Sequence, residues 1–175
     1  MLRSDLVEFE NYLRQHPDDE EFKQRLARMR AQLEANPLLD AHPISAPQIE
    51  LLSAWTRFTL FCGGNRAGKT FGGILKDLIE LLPRELLPEH LHPFKHLDGP
   101  VRGRIVSPGR STTQEVVIFD ALRQLSPKAG LRGGSFDDAY DKQHNMLHFE
   151  GGAWLQFLTA EMDVDRPAGG AIDNS

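Results

Sequence analysis

Gly63-Gly64-Asn65-Arg66-Ala67-Gly68-Lys69-Thr70 is the stretch whose reading decides the fold. It fits the phosphate-binding pattern G-x-x-x-x-G-K-[ST] at every fixed position. Ahead of it, Thr56-Arg57-Phe58-Thr59-Leu60-Phe61-Cys62 is aromatic and β-branched, has neither Gly nor Pro, and predicts a short strand. Behind it, Phe71, Ile74, Leu75, Leu78 and Leu82 recur at helical spacing, and the run stops at Pro83. Strand, glycine loop and helix form the setting the motif requires.

The residue types supply the chemistry. Gly63, Gly64 and Gly68 can adopt positive φ, so successive backbone N–H groups converge on an anion. A helix opening near Gly68 adds its dipole and its free N–H groups. Lys69 brings a mobile positive charge for β- and γ-phosphates, and the Thr70 hydroxyl suits Mg²⁺. A glycine-rich turn with a chance Lys-Thr would leave both flanks unexplained. The pattern points to a nucleotide site.

The chain has 175 residues, 40% of them apolar, enough for one ordinary domain and a small appendage. Its single cysteine, Cys62, falls on the predicted strand and is expected to be a small buried apolar residue. One cysteine permits no internal disulfide, which suits a reducing compartment. No apolar run approaches the roughly 20 residues of a bilayer span. The start, Met1-Leu2-Arg3-Ser4-Asp5, leads into a charged helix rather than a signal peptide, so a soluble intracellular protein is expected. A net charge of −5 gives no support for bulk attraction to nucleic acid, although Arg66 and Lys69 make a local basic pair.

Leu6, Phe9, Tyr12 and Leu13 predict a helix from Ser4, its N-cap, to about Gln15. Pro17 ends it. Asp18-Asp19-Glu20-Glu21 opens a second helix carrying Phe22, Leu26, Met29 and Leu33, which ends near Asn36-Pro37. Residues 1–37 thus form a helical hairpin arm, readable as simple packing or as a partner-binding element. Residues 38–47 read as a linker, and a short helix from Pro47 to about Trp55 carries Gln48. A glutamine there can satisfy N6–H and N7 of adenine, or simply sit at an exposed helix start. Pro83 to Pro100 reads as a surface connection, and His90, His92 and His96 as loop histidines. Val101–Val106 predicts a strand. Thr112–Glu115 forms a capping box into a helix reaching Leu125, which makes Val116–Asp120 helical rather than an apolar strand ending in a metal-binding Asp. Two runs, 145–149 and 153–159, joined by Glu150-Gly151-Gly152, predict a hairpin, with His144 and His148 on one strand face.

The glycine loop with an internal arginine resembles the large terminase subunit of tailed bacteriophages, the ATPase that drives double-stranded DNA into an empty head. Pro47-Gln48, Arg104-Ile105-Val106-Ser107-Pro108, Gly151-Gly152 before Trp154-Leu155-Gln156-Phe157, and Asp163-Val164-Asp165-Arg166 with Gly169 are similar to that family in order and spacing. The resemblance covers residues 40–175 and leaves the N-terminal arm unmatched. It implies an α/β fold: a partial P-loop NTPase sheet of the ASCE type with flanking helices, residues 48–175 forming an incomplete ATPase domain behind the helical hairpin. It implies ATP and Mg²⁺ as cofactors. Gly63 to Thr70 would hold the nucleotide, Lys69 and Thr70 its phosphate and Mg²⁺, Gln48 the adenine, and Arg66 would swing to the γ-phosphate. Arg66 could instead merely pair with an acid. Implied partners are double-stranded DNA, the terminase small subunit, the portal protein and further copies in a homo-oligomeric ring, with no membrane, in the cytoplasm of the infected or lysogenic host.

The sequence also departs from that family. The apolar strand ending Asp-Glu, the coupling motif and the nuclease domain are not among these residues, so weak nucleotide binding and negligible turnover are expected of the chain alone. A non-catalytic nucleotide-binding or partner-binding phage remnant is the alternative from a different class. A P-loop kinase is disfavoured, because no acceptor-site arginine cluster follows the loop.

Overall fold

The computed structural model describes residues 2–56, 59–60, 62 and 68–160. Helices α1 (Leu2–Gln15) and α2 (Glu20–Ala35) form the expected hairpin. The first helix starts ahead of Ser4, which is therefore not its cap. Asp19 caps α2, its carboxylate accepting the Phe22 N–H at 3.0 Å. The arm holds itself together with aromatic rings: Tyr12 stacks on Phe22 at 4.2 Å, and Phe9 lies 5.1 Å from the same ring.

The stretch read as a linker is ordered. Asn36 closes α2 and caps a 3-10 turn, Pro37–Asp40, whose Leu38 is fully buried in the main core. Helix α3 (Ala46–Ser53) follows, with Pro47 in its first turn, where a missing N–H costs nothing. Helix α4 (Lys69–Leu81) is the central element, burying Ile74, Leu75, Leu78, Ile79 and Leu81. Among the described residues between them, Thr56, Thr59, Leu60 and Cys62 lie in no strand. Leu60 is 89% exposed, and Cys62 is exposed rather than buried. Composition favours a strand there, but a strand needs a paired neighbour, and these residues have none in the sheet.

The sheet is open and mixed, in the order β1-β4-β3-β2, with β1 Arg102–Ser107, β2 Tyr140–Asp141, β3 Met146–His148 and β4 Trp154–Thr159. The hairpin β3–β4 forms as its sequence predicts, Gly151 and Gly152 turning the chain at φ 81° and 88°. The parallel pairing of β1 with β4, Arg102↔Trp154 through Ser107↔Thr159, was not legible locally. On one face Gly103, Ile105, Leu155, Phe157 and Leu147 meet α4 and α5 (Phe119–Leu125). Phe119 packs edge-on to Phe157 at 4.8 Å and, with Phe136 of α6 (Phe136–Ala139) and Tyr140, completes an aromatic cluster. The other face, with Arg102, Arg104, Val106, Trp154, Gln156 and Leu158, stays half-exposed to exposed. Mixed α/β with helices packed on one sheet face is the observed architecture.

Between β1 and α5 runs a nine-residue π-helix, Arg110–Ile118, entered from Gly109. The helix begins at Arg110, with Gly109 as its N-cap, ahead of the start expected at Thr112–Glu115, and Glu115 pairs with Arg110 at 3.2 Å. Val116 to Asp120 is helical, as its spacing predicts. Among the described residues no helix is long and apolar enough to cross a membrane.

Candidate functional site

The candidate site forms where α3 meets the start of α4. Gly68 sits directly ahead of α4 in the left-handed region, φ 71° and ψ 21°. A Cβ there would lie 2.5 Å from Gln48 Nε2, so both backbone and space call for glycine. Lys69 and Thr70 are the first two residues of α4, half-buried and exposed respectively. Gly68 is the N-cap of α4 and has no side chain with which to cap it. Gly63, Gly64, Asn65, Arg66 and Ala67 lie outside the described residues.

Gln48 is 1% exposed and works as a pin. Its Nε2 donates to Gly68 O at 3.0 Å, and its Oε1 accepts the Ile44 N–H at 2.6 Å. One N–H and one acceptor lone pair remain, the number an adenine N6/N7 edge requires. Beside it opens a cleft of about 330 Å³ lined by His42, Ile44, Phe71, Gln124 and Leu125, where the His42 ring also lies tilted against His90 at 4.2 Å. Burial, with the neighbouring His90, holds the His42 imidazole below its ordinary pKa and favours its neutral form.

Farther along α4 a charged cluster fixes the helix in place. Glu80 Oε2 accepts the backbone N–H groups of His96 and Leu97 at 3.1 and 2.9 Å, while Oε1 meets His96 Nδ1 at 2.9 Å and Lys76 Nζ at 3.1 Å. Burial opposes the charge on Glu80, but these hydrogen bonds outweigh it and hold the carboxyl below its usual range. Lys76 also donates to Leu52 O at 2.7 Å, and Trp55 stacks on His96 at 5.3 Å. Lys95 donates to Ile79 O and Glu80 O, closing the carboxyl end of α4. So α3 is tied to α4 twice, at Gly68 through Gln48 and at Lys76 through Leu52.

The other singled-out histidines have structural partners. His90 contacts Ala41 O at 2.9 Å, and His92 contacts Leu87 O at 2.8 Å. His144 is in a turn, paired with Asp141 at 2.6 Å, and does not share a strand face with His148. Two polar residues escaped the sequence reading. Glu80 sits on the buried stripe of an amphipathic helix, where its acidity marks it as exposed. Gln114 is 1% exposed with neither carboxamide atom bonded, and its sequence context gives no cue.

No protein-family model matches this chain, and no curated protein or solved structure is significantly similar to it.

Proposed function

We propose that this chain is the ATP-binding part of a DNA-packaging motor ATPase of the large-terminase kind. The observation that carries the reading is a left-handed Gly68 opening directly into α4, whose first residues are Lys69 and Thr70. Backbone N–H groups of the first turn and the Lys69 ammonium bind the phosphates and offset their charge. Gln48 is the candidate for meeting the base, bonded to Ile44 of the cleft that His42 and Phe71 also line, and its bond to Gly68 O links that side to the phosphate end. Thr70 would hold Mg²⁺, which when bound supplies charge neutralisation between β- and γ-phosphates. Arg66 is the candidate for contacting the γ-phosphate. Double-stranded DNA, a small subunit, a portal and sister copies in a ring are the partners this reading carries, in the host cytoplasm.

Calorimetric titration of the full chain with Mg-ATP tests it. Saturable binding at about one equivalent, lost at least tenfold in Lys69→Ala with an unchanged melting curve, is the expected result. Absent binding, or equal binding by the variant, sinks the nucleotide reading. A partner-binding module is the second reading, favoured by the arm: Leu26 is its one buried core residue among those described, and Val7 and Tyr12 face solvent.

A further inference from the structure

We infer that Gln114 is a positioning residue for the terminal phosphate of a nucleoside triphosphate, resting on the nucleotide reading above. Buried polar side chains nearly always find partners, and among the described residues this one finds none for either Nε2 or Oε1 while being 1% exposed. Its backbone is fully used, with N–H donating to Gly109 O and C=O accepting from Phe119 N. The carboxamide alone is left over. It belongs to a π-helix, a rare conformation that recurs at functional sites.

Placement connects it to the phosphate end. Leu81, the last residue of α4, lies near Gly103 at the start of β1, and the π-helix that leaves the far end of β1 also packs on α4, the pair of contacts expected of an α4 antiparallel to β1. Thirteen helical residues and six extended ones both cover about 20 Å. Lys69 and Thr70 therefore stand at the level of Ser107, the carboxyl end of β1. Ser107 and Thr159, the last residues of β1 and β4, are buried hydroxyl-bearing side chains at that end. The π-helix leaves from the same end and packs against α4, β1 and β4. Open α/β sheets bind ligands just beyond the carboxyl ends of their strands. Gln48 and the base cleft serve the α3 side, while Gln114 lies on the sheet side, where the last phosphate would project. In that role its N–H₂ would donate to phosphate oxygens and its carbonyl would accept from water.

The test compares Mg-ATPγS and Mg-ADP affinities of the full chain with those of Gln114→Met and Gln114→Glu, alongside melting temperatures. The inference expects each variant to weaken ATPγS about tenfold and ADP less than about twofold, with Gln114→Met melting no lower than the parent. Unchanged affinity for both ligands assigns the side chain to an internal water and overturns the inference. Parallel loss of both affinities with a lowered melting temperature assigns it a purely structural role and also overturns it. Should Gln114→Met not fold, Gln114→Glu, of equal size, decides by the same ATPγS-to-ADP ratio. A parent chain that binds neither ligand, and is indifferent to Lys69→Ala, fails at the nucleotide reading instead.

Discussion

Gly68 concentrates the most constraint in a single residue. An alanine there must hold a left-handed backbone and push aside the Gln48 carboxamide, breaking its bond to Gly68 O. Gly68→Ala should lower unfolding free energy by about 1–3 kcal/mol in urea titration, and a change under about 0.5 kcal/mol would contradict the geometry. Asp77 makes the opposite contribution. Burial raises its carboxyl from 3.8 to about 7, with Lys76 lowering it and Glu80 raising it further. The folded chain holds that proton more tightly than the unfolded chain, so stability falls as pH climbs from about 4 to about 7, then levels. Asp77→Asn should therefore melt higher than the parent at pH 8, by at most about 4 kcal/mol in stability, with the gain shrinking toward pH 4. A gain independent of pH would remove the titration argument.

Elements are joined here by buried hydrogen bonds as much as by apolar contact. Glu80 gathers the connection after α4, the helix itself and, through Lys76, the end of α3. Replacing it with Gln keeps the size but turns amide protons toward N–H donors and strips Lys76 of its counter-charge. Glu80→Gln should cost about 2–4 kcal/mol at pH 7 in urea unfolding. Because the folded carboxyl titrates below its ordinary value of 4.5, the deficit should close as pH drops through that lower range. A deficit that persists at acid pH would mean the side chain matters by shape alone. Elements legible in the sequence were those with a local cause: α4 from its apolar period, the β3–β4 hairpin from its glycine turn, the Val116–Asp120 helix from its 3–4 spacing. The strand read into Thr56–Cys62 had composition alone, and the π-helix has no period of its own to betray it.

At the scale of the whole molecule, the Gly63–Thr70 octet pointed to the candidate site, while the described surroundings of Gly68 are long-range. Gln48 meets Gly68 across 20 residues, and Lys95 reaches Ile79 across 16, pairings that no window of local pattern contains. The helical arm was visible from its stripe, but Leu38, expected in a linker, joins the core because the buried faces of α4 and α5 need covering. Arg104 meets Gln156 across 52 residues, whereas β3 and β4 are neighbours in the chain. Loop-closure entropy grows with that separation. The hairpin closes a short loop around Phe157 and Leu147, whereas the β1–β4 ladder closes a loop that contains the π-helix, α5 and α6 and so carries the larger entropic cost. Until that ladder closes, a strand carrying Val106 and Ile105 stands unmated, and it is then that stray encounters with another chain compete with correct assembly.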